Sequence, residues 1–141
     1  SMVADWAPFE ELDHTADLCL CVRGATLPAL FVHAAQGMFH LMQCEPCVGC
    51  HAVSYALVLE AYDLETLLVD WLGELLYLGE RDRACLDDPT IIHLDATHLE
   101  AQVRGKSPCT VQRGIKAVTF GGLQIVQRPE GFWETVITFD V

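Results

Sequence analysis

Asp63-Leu64-Glu65-Thr66-Leu67-Leu68-Val69-Asp70-Trp71-Leu72-Gly73-Glu74-Leu75-Leu76 is the stretch on which the fold turns. Leu64, Leu67, Leu68, Trp71, Leu72, Leu75 and Leu76 recur at three- and four-residue spacing, so on a helix they make one broad apolar face. Asp63 stands at the N-cap position, where a carboxylate accepts a backbone N–H. Glu65, Asp70 and Glu74 fall on the other side, and Gly79 offers a stop. So wide an apolar face has to cover something, and the segments around it alternate with period two.

Upstream, Thr26 caps a second helix with Pro28 in its first turn, and Leu27, Leu30, Phe31, Ala34, Ala35, Met38 and Phe39 carry its stripe to about residue 42. Gly37 inside it costs about 1 kcal/mol against Ala and marks a close contact. His33 and His40 share that helix and read as satisfied or exposed side chains. Strands are expected over 9–13, 17–23, 53–62, 90–95, 97–105 and 115–120, then a hairpin of 123–128 with 132–139 around Pro129-Glu130-Gly131. The charged run 80–83 with Asp87-Asp88-Pro89 reads as a bend, and 105–114 as a polar link. Two helices among hairpin-linked strands define an α+β fold in which the helices cover a largely antiparallel or mixed sheet. No repeat or linker divides the chain, so residues 1–141 form one domain, with Ser1 before Met2 excluded as a tag scar.

Composition narrows the function. Twenty acids against eight Lys plus Arg give a net charge of −12, which opposes direct binding of nucleic acid and favours a basic protein partner. Half of the basic residues (Arg104, Lys106, Arg113 and Lys116) gather within thirteen positions. No apolar run is long enough to span a membrane, and the N-terminus lacks a signal-peptide pattern, so a cytoplasmic protein with seven reduced cysteines is expected.

Three places carry chemistry. Asp13-His14-Thr15-Ala16-Asp17 precedes the alternating Leu18–Val22 segment, and carboxylates at the mouth of a strand suit a hard cation, although the same residue types make ordinary turns. Asp140, the candidate partner for Asp17, closes the last strand beside Val141, whose terminal carboxylate would add an oxygen donor; a solvated terminal acid is the alternative. Lys116, one of two lysines, lies in an otherwise apolar strand, either snorkelling at a sheet edge or paired with those carboxylates and able to meet a phosphate. Separately, Cys44, Cys47, Cys50 and His51 have the chemistry for zinc, but four ligands from eight residues with Cys50 and His51 adjacent close a tetrahedron poorly. A thiol-rich connecting loop is the better reading. No nucleophile elbow, phosphate-cradling glycine loop or dinucleotide fingerprint is present.

Taken together, His14-Thr15-Ala16-Asp17, Gly24-x-Thr26-Leu27 with Leu30-Phe31-x-x-Ala34-Ala35, the Asp63–Leu76 stretch, Ile115-Lys116-Ala117-Val118-Thr119 and terminal Asp140-Val141 resemble the archease family across nearly the whole chain. The resemblance implies a small α+β accessory protein, not an enzyme, that helps an RtcB-type RNA ligase in tRNA splicing or RNA repair. It implies support of the ligase's metal- and GTP-dependent guanylylation and of its repeated turnover. The family's metal-associated acids fall on Asp17 and Asp140, the ion being Mg²⁺, Mn²⁺ or Ca²⁺, and its functional lysine on Lys116. His14 would orient Asp17. Where the family often continues with Tyr-His, this chain has Phe120-Gly121, so a phenol and an imidazole are missing beside the site. Two rivals remain: a stand-alone metal-dependent phosphoester hydrolase using Asp17, Asp140 and His14, and a zinc-stabilised interaction module built on the cysteines.

Overall fold

The computed structural model describes residues 5–12 and 17–141. Its elements are β1 (Phe9–Leu12), β2 (Leu18–Gly24), α1 (Leu27–Leu41), β3 (Cys44–Glu60), α2 (Leu64–Asp82), β4 (Cys85–Leu94), β5 (His98–Val111), β6 (Ala117–Thr119), β7 (Val126–Gln127) and β8 (Trp133–Asp140). Every strand pair among these is antiparallel. The strands divide into two sheets instead of the single one expected: a five-stranded sheet in the order β1-β2-β8-β6, with β7 also on β8, and a three-stranded sheet β3-β5-β4. The α+β class holds.

Both helices start as their sequence dictates. Thr26 accepts the Ala29 N–H at 3.2 Å, and Asp63 accepts that of Thr66 at 2.8 Å. Helix α1 packs on β2 of one sheet and β4 of the other, while α2 packs on β6 and on β3 and β5. One core therefore joins both sheets: Leu20, Val22, Ile137 and Phe139 from the first, Leu57, Leu99, Ala101 and Val103 from the second, with Phe31, Met38, Trp71 and Leu72 between. Trp71 is wholly buried and donates its indole N–H to the Phe31 carbonyl at 3.0 Å, so its one polar atom is satisfied. At Gly37 a Cβ would lie 2.6 Å from the Leu20 side chain and 3.0 Å from Phe9, which is the close contact its place in a helix suggested.

Four segments differ from the sequence reading. Helix α2 passes Gly79 and ends at Asp82, capped by Arg83 in the left-handed conformation, with the Ala84 N–H bonded to the Gly79 carbonyl at 2.9 Å. Glu80, Arg81 and Asp82 are simply the exposed or half-buried last turn, not a bend. Asp87-Asp88-Pro89 lies inside β4, where an edge position spares proline the ladder bond it cannot donate. The link expected over 105–114 is strand as far as Val111, because it pairs with β3 and, at Lys106, with β4. Finally, Cys44–His51 is no connecting loop. It opens β3, whose register passes from Pro46 opposite Cys109 to His51 opposite Ser107, so that 47–50 bulge out against Pro108 alone. Val48 at the crest is fully exposed, and Gly49 takes a φ of 79°.

Candidate functional site

The first and last long strands of the chain, β2 and β8, are neighbours. Their register places Leu18 opposite Phe139 and Gly24 opposite Trp133. Asp17 immediately precedes Leu18, and Asp140 immediately follows Phe139, so the two acids lie at one end of the five-stranded sheet, just beyond the last β2–β8 pair. On the far side of β8, Ala117 pairs with Asp140 and Val118 with Phe139. The Lys116 N–H then donates to the Asp140 carbonyl at 2.8 Å, carrying the ladder one residue beyond β6. Residues from opposite ends of the sequence thus meet because β8 is the central strand between β2 and β6.

Facing follows from the pleat. Val118 and Phe139 turn toward the core, Phe139 being wholly buried, while Ala117 and Asp140 are exposed together on the outer face. Lys116 shares the face of Val118. It lines a groove of about 510 Å³ with Asp70, Gly73 and Glu74 of α2 and the apolar Leu59, Val69, Leu76 and Val118. It also borders a second groove, of about 430 Å³, together with Glu80, Ile115 and Val141. The lysine and the acid pair therefore share one sheet end, but the lysine lies on the helix side. Among the described residues Lys116 makes no ion pair. Glu65, at the start of α2, accepts the Ile125 N–H at 3.1 Å and ties down the segment between β6 and β7. Phe120 and Gly121 open that segment and are exposed, with nothing near a Cβ built on Gly121.

Asp13 and His14 lie outside the described residues. Among the described residues, no group of three or more His, Cys, Asp or Glu side chains is arranged to hold a metal. The four donors of the zinc alternative do not converge. Cys44 turns to Cys109 at 3.3 Å across the β3–β5 ladder, whereas Cys47 and Cys50 sit in the bulge and His51 is exposed. Sequence reasoning also missed the α2–β6 grooves, since no spacing links residues 59–76 with 116–118. The histidines of α1 are ordinary: His33 Nδ1 is 2.6 Å from the Arg23 carbonyl, and His40 is exposed beside the Phe9 ring.

These features define a class: small α+β proteins of two antiparallel sheets and two amphipathic helices, with the first and last long strands paired in one sheet. Residues 9–141 match the Archease protein family (MTH1598/TM1083), and the chain belongs to that family. It is 33% identical to the protein archease of Methanosarcina barkeri, over 94% of this chain and 95% of that protein. It is 28% identical to the protein archease of Thermococcus kodakarensis, over 89% and 92%. The solution structure of Methanobacterium thermoautotrophicum protein 1598 is similar at a TM-score of 0.67 and 25% identity, covering 95% of this chain and 99% of that one. The crystal structure of an archease from Thermotoga maritima, described as a possible chaperone, shares the fold at a TM-score of 0.63 and 17% identity, covering 94% and 96%.

Proposed function

We propose that this protein is a protein cofactor of an RtcB-type RNA ligase, promoting the ligase's metal- and GTP-dependent guanylylation and hence repeated turnover in tRNA splicing or RNA repair. One observation carries the reading: in a member of the archease family, the β2–β8–β6 ladder brings Asp17, Asp140 and Lys116 to a single sheet end. The protein performs no chemistry of its own in this reading. Its acidic tip docks at the basic, nucleotide-binding face of the ligase, a match its charge of −12 favours and one that direct RNA binding would not.

The donor set fits a hard divalent ion. Asp17 and Asp140 offer only oxygen, as Mg²⁺, Mn²⁺ or Ca²⁺ prefer, and Val141 beside them adds main-chain oxygen. Two carboxylates leave most positions to water or to the partner, as expected of a site completed only in a complex. A bound ion would supply positive charge next to the triphosphate of the ligase's GTP. Lys116 acts as a mobile point charge for a phosphate oxygen from the groove side, and His14 orients Asp17. Together they hold reacting groups in line, a contribution of position and not of bond making.

The test is a guanylylation assay with the cognate ligase, GTP and divalent metal, with and without this protein. Stimulation by the wild type, lost in Asp17→Ala, Asp140→Ala and Lys116→Ala, is the expected result. An Asp140→Ala protein that stimulates fully would sink the proposal.

A further inference from the structure

Three cysteines far apart in sequence converge where the three-stranded sheet begins. Cys44 opens β3 directly after α1, Cys85 opens β4 directly after α2, and Cys109 stands near the end of β5. The Cys44 and Cys109 sulfurs are 3.3 Å apart, and Cys85 Sγ lies 3.6 Å from the Cys44 carbonyl oxygen. Cys109 and Cys85 are buried, whereas Cys44 is half-buried. A groove of about 350 Å³ between α1 and β4, lined by Gln36, Phe39, His40 and Asp87 among others, reaches both Cys44 and Cys85.

Two thiols at this separation are placed for one to displace a leaving group from the other. Cys44 and Cys109 stand diagonally across the β3–β5 ladder, Cys44 opposite Val111 and Cys109 opposite Pro46, and the backbone around them is pinned. The Cys109 N–H is held by the Arg83 carbonyl at 2.9 Å, and β5 lies so close to β4 that a Cβ on Gly105 would strike the Cys85 carbonyl. A metal is the other use of clustered thiols, but among the described residues no three donors are arranged for one.

We propose that Cys44 and Cys109 are a reversible redox pair that forms an intrachain disulfide with a hydroperoxide admitted through the α1–β4 groove. The Cys44 sulfur attacks the outer peroxide oxygen, the O–O bond breaks, and the alkoxide or hydroxide that leaves takes up the proton shed by Cys44. Cys85 serves as the base: its contact with Cys44 favours the Cys85 thiolate, which takes the Cys44 proton as that sulfur attacks and passes it to the leaving oxygen. Cys44 is now a sulfenic acid. The Cys109 sulfur attacks it, the S–O bond breaks, and hydroxide leaves with the Cys109 proton as water. In total, two thiols and one hydroperoxide give a disulfide, an alcohol or water, and water. The bond staples β3 to β5, and a dithiol reductant reverses it. This site is independent of the ligase reading, since it uses none of Asp17, Asp140 or Lys116.

The experiment treats the reduced full chain with hydrogen peroxide, alkylates the remaining thiols and maps peptides by mass spectrometry. The wild type is expected to lose two of its seven thiols, with Cys44 and Cys109 in one linked peptide pair that dithiothreitol releases. Cys109→Ala should stop at alkylatable or over-oxidised Cys44 with no intrachain link, and Cys85→Ser should form the same link more slowly. Circular dichroism before oxidation keeps misfolding of either variant from passing for a lost reaction. Linkage through Cys19, Cys21, Cys47 or Cys50, or Cys44 oxidised while Cys109 remains fully alkylatable in the wild type, overturns the proposal.

Discussion

Asp140, proposed to act at the ligase, is exposed while Phe139 beside it is wholly buried in the core. Asp140→Asn or Lys116→Ala removes a solvated charge and should change the unfolding free energy by no more than about 0.5 kcal/mol, while the proposed ligase stimulation should be lost. Parallel denaturant titrations and guanylylation assays read the two effects. A different residue sets the acid limit. Glu134 is half-buried, which on its own would raise its pKa, but Arg128 at 2.5 Å and Arg23 at 2.8 Å outweigh burial and hold the carboxyl below its usual 4.5. Asp82 moves the same way, to about 2, through Arg81 and Tyr55. A depressed folded pKa contributes stability that is whole above the unfolded value and is lost as pH falls through the folded one. The melting temperature should therefore hold down to about pH 4.5 and fall below it, and Glu134→Gln should flatten that acid limb. At this scale the sequence is partly legible. Asp17, Asp140 and Lys116 stand out as charges bordering apolar alternation, but the Arg23–Glu134 pair does not, because 111 positions separate its members and only the β2–β8 register unites them.

Elements were readable where one period ran uninterrupted, as in α1 and α2, and unreadable where pairing overrode composition. Pro46, Gly49 and their polar and thiol neighbours disguise the opening of β3, and Asp87-Asp88-Pro89 disguises β4, yet β5 holds both by backbone bonds on either side. The consequence of that close pairing is visible at Gly105, where a Cβ would sit 2.0 Å from the Cys85 carbonyl oxygen and 2.8 Å from its carbon. Gly105→Ala should destabilise the fold by about 3 kcal/mol, at the upper end of what overpacking usually costs. Gly73 behaves oppositely. It lies inside α2 on the wall of the Lys116 groove, and a methyl group added there would meet nothing within 4 Å. Gly73→Ala should stabilise the protein by up to about 1 kcal/mol, because alanine gives up less backbone freedom in a helix. Urea unfolding midpoints of the two variants against wild type check both signs.

For the whole molecule, the division into two sheets was not legible, because the pairings that make it, β2 with β8 and β3 with β5, join segments with a helix or more between them. Net charge was legible, and it governs the last prediction. At −12, with Asp70, Glu74 and Glu80 bordering the grooves beside Lys116, the protein presents a negative field to any partner. If that field steers it to a basic ligase face, the encounter rate should fall steeply as salt rises, because charges more than about 10 Å apart are screened at 0.1 M. The stimulated rate at saturating protein should change far less, since contacts within the docked complex are short and shielded from salt. Titrating this protein against the proposed ligase partner at low and at physiological ionic strength separates the two quantities. The concentration giving half-maximal stimulation should rise several-fold with salt while the plateau stays near constant. A half-maximal concentration indifferent to salt would mean that apolar contact, and not the acidic surface, brings the partners together.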